Sequence, residues 1–540
     1  MPLLSAVDAL FGRCVGEGFP YYPRARDIVS ATVITRSGRV EGSEEHGMFV
    51  FRGIPYARPP VGARRFRAPE PAVAWRGTRP TQAFAPSAPQ NGPSTRVLAQ
   101  LIGVGASGQS EDCLCLNIWT PAADRKRRPV MLWIHGGAFV LGSGATGLYA
   151  GGRMAKRGDV VVVTINYRLG ALGFLNLHAL DDRLEANFGV HDQIAALEWV
   201  RDNIEQFGGD PEKVTIFGES AGGMSVGTLL STRAAGRLFH RAVAQSGAAS
   251  NVSSQAQAAE VAEEFVRALG ERQLDVERLR RRAVPDILAA QMRAALRSNM
   301  RAGVLPWQPS IDDQLLRASP LPPIAAGSAR TVALLVGTNR DEWRLFMIGD
   351  PKGRRLDEAG LRRRLARALA TSDDGDAWSQ RAFDVYARAD DVAARWTPAD
   401  RWVAFQSDRI FHHPAHELAA SHAHSGGATY AYLFTWTLPL VGGWSGSFHG
   451  LEIPFVFGTV RDGLFRRLFP FHGGIRRLSD IMQQAWVAFA RHGAPHHDEL
   501  PTWPRYDSAR RASMAFDTTC AVRERVFEER QRLWSDLAAA

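Results

Sequence analysis

The sequence predicts an α/β protein built on one large, mostly parallel sheet covered by helices. Two observations carry this. From about Ile28 onward, short β-branched or aliphatic runs alternate with stretches of helical periodicity. No internal repeat and no Pro- or Gly-rich tether divides the chain into independent units. Composition agrees: 45% hydrophobic and 22% charged residues over 540 positions is the balance of an ordinary globular protein, which excludes disordered, collagenous and coiled-coil classes.

The clearest strands are 130–134, 160–165, 214–217, 331–336 and 430–435, each a short run dense in aliphatic or aromatic residues. Between them, Ala196, Leu197, Val200 and Ile204 make one apolar helical stripe, and Ile481, Met482, Ala485, Trp486 and Phe489 make another. Residues 251–300 read as a helical insertion, with Val261, Phe265 and Leu269 leading to Gly270. Residues 85–110, rich in Ser, Gly, Ala and Pro, read as a long surface loop near a site. Residues 1–27 are expected as an extension and 28–540 as a single catalytic domain.

No run approaches the ~18 uninterrupted apolar residues of a membrane span. The formal net charge is +10. The arginines are nevertheless spread along the whole chain, with short clusters at 125–128, 278–282 and 362–364, and no nucleic-acid motif accompanies them. Solvated helix ends and loops explain such runs, so no nucleic-acid partner is expected. Asp8 and Arg13 interrupt the only apolar stretch near the N-terminus, which argues against an export signal and for the cytoplasm. The thiols Cys14, Cys113, Cys115 and Cys520 are too few to staple a scaffold, and all four are expected to be free.

The chemistry is concentrated at Gly218-Glu219-Ser220-Ala221-Gly222, a G-x-S-x-G pattern following the apolar run 214–217 and preceding the helix-permissive run 224–230. A serine on such a strand-to-helix turn sits in a strained backbone with its hydroxyl exposed, and the flanking glycines avoid collisions of a Cβ with neighbouring backbone. A hydroxyl is a weak nucleophile, so an imidazole must take its proton, a carboxylate must orient the imidazole, and N–H donors must meet the oxyanion. His135-Gly136-Gly137, directly after strand 130–134, supplies a loop whose Gly136 and Gly137 amides, with that of Ala221, can do the last of these.

These segments resemble the type-B carboxylesterases of the α/β-hydrolase superfamily. The resemblance covers about residues 31–518 and includes 51–57 (FRGIPYA), 59–62 (PPVG), 111–117 (EDCLCLN), 166–170 (NYRLG), Asp192-Gln193, 207–211 (FGGDP), 245–247 (QSG) and Trp503-Pro504. It implies an α/β-hydrolase fold with insertions around the site. It further implies that 339–342 (NRDE) is the turn of the triad acid, at Glu342 with the adjacent Asp341 as the alternative. The loop 448–455 (FHGLEIPF) then places the base at His449. Glu219 has two readings, an electrostatic aid to the imidazolium and a purely structural residue.

Departures from the family bear on substrate. Where many relatives bridge the cysteine at the Cys113 position to the preceding loop, this chain carries Ala88, and residues 90–110 hold no aromatic to receive a quaternary ammonium. Choline esters are therefore poor candidates. The histidines 412, 413, 416, 422 and 424 crowd together, and His412 and His416 have ligand-like spacing. Pro414 is nevertheless expected to interrupt the helix, no H-E-x-x-H is present, and no metal or cofactor is implied. The expectation is a serine carboxylester hydrolase acting through an acyl-enzyme on short- to medium-chain esters. Lipase, amide or carbamate hydrolysis by the same residues, and a non-catalytic adhesion role, are the alternatives. Activity is expected to rise with pH through 6 to 7, near free imidazole.

Overall fold

The computed structural model describes residues 30–92, 108–302, 305–370, 374–388, 396–438, 445–462 and 473–539. The segment 1–27, and Cys14 with it, lies outside them. Among the described residues thirteen strands form one mixed sheet. In chain order they are β1 (Ser30–Thr35), β2 (Gly38–Glu45), β3 (Met48–Pro55), β4 (Thr78–Pro80), β5 (Cys115–Thr120), β6 (Arg128–Ile134), β7 (Val161–Ile165), β8 (Gly209–Glu219), β9 (Arg241–Gln245), β10 (Ala333–Asn339), β11 (Thr429–Phe434), β12 (Ser513–Phe516) and β13 (Ala521–Arg523). The order across the sheet is β1-β2-β3-β5-β7-β6-β8-β9-β10-β11-β12-β13, with β4 beside β2. From β7 through β6, β8, β9, β10 and β11 to β12 every neighbour is parallel, while β1, β2, β3 and β5 join antiparallel.

The parallel strands read as unbroken apolar runs because both of their faces are covered. In β6, Val130, Leu132 and Ile134 enter the core on one side of the sheet, and Met131 and Trp133 enter the core on the other. Trp133 is fully buried against Tyr149, Phe217 and Phe457, with ring centroids 5.0, 4.9 and 5.1 Å away. The two predicted helical stripes lie on opposite sides: Ala196, Leu197 and Val200 of the Phe188–Asn203 helix in the first core, and Met482, Trp486 and Phe489 of the Gly473–His492 helix in the second. A smaller third cluster joins Met347, Tyr386 and Phe405 to Leu533 and Trp534 of the C-terminal helix Glu528–Ala539. Among the described residues no helix is long and apolar enough to cross a membrane.

Three expectations need correction in detail. Strand 331–336 begins at Ala333 and continues to Asn339, because Gly337, Thr338 and Asn339 interrupt the apolar run but not the ladder, in which they pair with Tyr432, Leu433 and Phe434. The insertion at 251–300 is three helices, Gln255–Ala268, Val276–Arg281 and Val284–Ala302, the first opened by a capping box on Ser254 and the second by the Asp275 side chain. The described part of 85–110 is partly interior rather than surface: residues 87–90 are buried, and Gln90 both accepts from Gly142 N–H and donates to Gly142 C=O, each at 2.9 Å.

Candidate active site

Strands β8, β10 and β11 end on one edge of the parallel sheet, the edge where such sheets place their chemistry. Ser220 follows β8 and precedes the helix Ala221–Leu230, and its backbone has φ 58° and ψ −125°, a strained conformation for a residue with a Cβ. Neighbouring elements force the turn. A Cβ at Gly222 would lie 2.0 Å from Ile134 O, and one at Gly218 would lie 2.7 Å from the same oxygen. The Ser220 N–H donates to Gln245 O at 2.9 Å, which ties the elbow to β9 and leaves the side chain half-exposed.

The loop after β6 sits against this elbow. A Cβ at Gly136 would come 3.0 Å from Ser220 Cβ, and Gly137 has φ +112° with Leu141 O where a side chain would go, so both positions require glycine. His135 is buried and stacked on Tyr167 with centroids 4.5 Å apart. Burial pushes its pKa down to about 4, and its Nδ1 lies 2.8 Å from Gly136 O, so the neutral ring braces the loop as a donor. Ala221 opens its helix, where the first amides have no intrahelical acceptor.

Glu342 is fully buried and its Oε2 accepts from His449 Nδ1 at 2.6 Å, while its Oε1 accepts from Asn339 N–H at 2.7 Å. Asp341 points elsewhere: its Oδ2 accepts from Ser447 N–H at 2.8 Å and pairs with Arg340 at 2.9 Å, pinning the loop that carries His449. Of the two adjacent acids, Glu342 is the one in contact with the imidazole. The other ring nitrogen, Nε2, makes no hydrogen bond and faces Glu219 Oε1 at 3.1 Å. Phe411 and Phe346 flank the ring at 4.7 and 5.3 Å.

A third buried carboxylate, Glu452, accepts from Gln245 Nε2 at 3.1 Å and from Asn339 Nδ2 at 2.6 Å. Burial, reinforced by the nearby Glu342 charge, lifts it to about 7. Burial lifts Glu219 to about 8, a rise that the His449 charge opposes and the other two glutamates reinforce. For His449 burial favours the neutral ring, but Glu219 and Glu342 outweigh it and hold the pKa up at about 9. This lies above the pH 6 to 7 expected from free imidazole, because the ring lies among carboxylates rather than in water. Glu219 is thus in contact with the imidazole, as its electrostatic reading requires.

Glu452 and Asn339 carried no assigned role in the sequence. Glu452 had a visible signal, its position three residues after His449 on the same turn, whereas the Asn339 bonds depend on where β10 ends. The histidine cluster is dispersed into separate contacts. Pro414 does not interrupt the helix: it lies in the first turn of His413–His424, where no intrahelical N–H is needed, and a single π turn at Asp408–His412 leads into it. His416 is half-buried and desolvation pushes its pKa down to about 3, while His422 Nδ1 meets Thr429 Oγ1 at 2.7 Å. Among the described residues no group of three His, Cys, Asp or Glu side chains is arranged to hold a metal ion. Cys113, Cys115 and Cys520 are free thiols, the first two buried, and burial pushes Cys115 up to about 12.

The sequence model of the carboxylesterase family matches residues 29–534. The chain is 38% identical over 508 residues to para-nitrobenzyl esterase of Bacillus subtilis, covering 93% of this chain and 98% of that protein. It is 34% identical over 489 residues to phenmedipham hydrolase of Pseudarthrobacter oxydans, covering 87% and 92%. The solved carboxylesterase of Geobacillus stearothermophilus superposes with a TM-score of 0.80 at 37% identity, over 93% of this chain and 99% of that one. With agreement of this extent in sequence and in fold, the chain belongs to the carboxylesterase family and is an α/β-hydrolase acting on carboxylic esters.

Proposed function

We propose that Ser220 is the nucleophile of a serine carboxylester hydrolase, His449 its general base and acid, and Glu342 the carboxylate that orients His449. The observation carrying this is the 2.6 Å bond from His449 Nδ1 to Glu342, which fixes the tautomer and leaves Nε2 facing the elbow. Neutral His449 takes the hydroxyl proton as Ser220 Oγ attacks the ester carbonyl. The amides of Gly136, Gly137 and Ala221 hold the oxyanion, and the imidazolium returns its proton to the departing alcohol. Water, deprotonated in turn by His449, then releases the acid from the acyl-enzyme. Where ionised, Glu219 and Glu452 add negative charge beside the ring and stabilise the imidazolium of both transition states.

The substrate proposed is a small carboxylic ester with a short to medium acyl chain, taken up against the aromatic wall of Phe346 and Phe411. The catalytic domain is proposed to span 28–540 and to work in the cytoplasm, a reading supported by buried free thiols at Cys113 and Cys115. A nitrophenyl ester series from acetate to palmitate tests the chain length, with a maximum in kcat/KM below the long-chain esters expected and a maximum at palmitate overturning it. An organophosphonate probe should label Ser220. Labelling elsewhere, or none, removes the nucleophile assignment.

A further inference from the structure

Behind the acid turn lies a second buried carboxylate–imidazole pair that the mechanism does not use. His412 Nδ1 donates to Asp408 Oδ1 at 2.7 Å, and its Nε2 donates to Asn339 O at 2.9 Å. A carboxylate and a carbonyl can only accept, so both ring nitrogens must carry a proton for both bonds to form. Asp408 Oδ2 in turn accepts from Tyr386 at 2.6 Å and faces Arg530 Nε at 3.3 Å, while Phe527 stacks on the His412 ring at 4.9 Å. His416, one turn further along the same helix, is a further titratable neighbour, with His413 and Arg511 beside it. The pair is thus held from three sides, by its own helix, by the Gly375–Arg388 helix and by the C-terminal segment.

The other end of the contact is Asn339, the last residue of β10. The peptide joining Asn339 to Arg340 is held at both ends, its oxygen by His412 and its N–H by Phe434 O at 2.9 Å. The N–H of Asn339 is the group that donates to Glu342 Oε1. Here the backbone leaves the sheet and turns to present the acid to His449.

We infer that His412, oriented by Asp408, is a positioning residue for ester hydrolysis: its Nε2–H fixes the Asn339 carbonyl, and through that turn the carboxylate of Glu342 against His449. The inference rests on the assignment of Glu342 as the triad acid. The two ring nitrogens separate this role from a purely structural one, since glutamine reproduces a donor at the Nε2 position and asparagine one at the Nδ1 position. His412→Asn keeps the bond to Asp408 and loses the bond to Asn339; His412→Gln does the reverse.

The test is steady-state hydrolysis of p-nitrophenyl butyrate against pH, with thermal melting as the check of folding. His412→Asn should lose about ten- to a hundredfold in kcat with KM within about twofold, the cost of a slightly misplaced catalytic group. Its acid limb should shift to lower pH, because a misaligned Glu342 holds the imidazolium less well. His412→Gln should stay within about threefold of the parent in kcat. Equal losses in the two variants, or a fully active His412→Asn, overturn the inference. Should His412→Asn not fold, His412→Gln decides: retained kcat supports the inference and a loss beyond about tenfold overturns it. Glu342→Gln is run alongside. If it is active, the acid assignment falls and takes this inference with it; if it is inactive while His412→Asn is normal, only the inference falls.

Discussion

The molecule holds two carboxylate–imidazole pairs of nearly equal length, Glu342 with His449 at 2.6 Å and Asp408 with His412 at 2.7 Å. Both are buried, and both use Nδ1 toward the acid. They differ in what faces Nε2. In the first pair it makes no hydrogen bond and meets Glu219 beside the elbow, and the second glutamate, Glu452, adds negative charge nearby. In the second it is occupied by a backbone carbonyl, and the extra charge nearby is the cation of Arg530. A buried dyad can move a proton only if one nitrogen is left for the reacting group. The same two side chains with both nitrogens committed make a brace.

The sharpest way to break this contrast is to remove the group that the free nitrogen is proposed to serve. Ser220→Ala should fold normally and lose roughly six decades of kcat in nitrophenyl ester hydrolysis, since triad members act as a unit. Retention of more than about 1% activity would show that the unbonded nitrogen serves something else. Next, Glu342→Gln should cost about four decades through loss of the oriented tautomer. Asp341→Asn, at a side chain that bonds the Ser447 backbone and Arg340, should cost far less, and the reverse ranking in kcat/KM would exchange their roles.

Glu219→Gln sharpens the electrostatic half of the comparison. Its carboxylate raises the His449 pKa toward about 9, so neutralising it should move the acid limb of the kcat/KM profile to lower pH, toward free imidazole. The sign follows from the base having to be neutral: a less stabilised imidazolium loses its proton earlier as pH rises. An unmoved limb would mean that Glu219 carries no charge in the resting site. The smallest effect concerns the thiols. Millimolar dithiothreitol should leave activity unchanged, and Ellman titration without reductant should count four thiols in the denatured chain and none from Cys113 or Cys115 in the native one. Two or fewer in the denatured protein would reveal a disulfide.

The elbow was legible because its constraints are local. Gly218 and Gly222 must be glycine for want of space against Ile134 O, Ser220 must accept a strained φ, and an apolar strand must precede it, and each leaves a mark within a few residues of sequence. The Gly136–Gly137 loop is legible for the same reason. The choice between Asp341 and Glu342 was not. Adjacent acids have the same composition and charge, and only the direction in which the turn leaves β10 decides which one meets His449.

The amino-acid sequence by itself determined the α/β class, the strand-elbow-helix at Ser220 and the glycine loop after β6, because periodicity and glycine spacing are properties of neighbours along the chain; the proposed order of serine, acid and histidine came from the resemblance to the family. Only the tertiary structure decided that Glu219 faces the His449 imidazole, that Glu452 is buried against Gln245 and Asn339, and that His412, inside a crowd of histidines with ligand-like spacing, clamps Asn339. Those outcomes depend on contacts between residues separated by 73 to 230 positions, such as His412 with Asn339 and His449 with Glu219, and on the exclusion of water that gives their charges weight. No local pattern encodes either one.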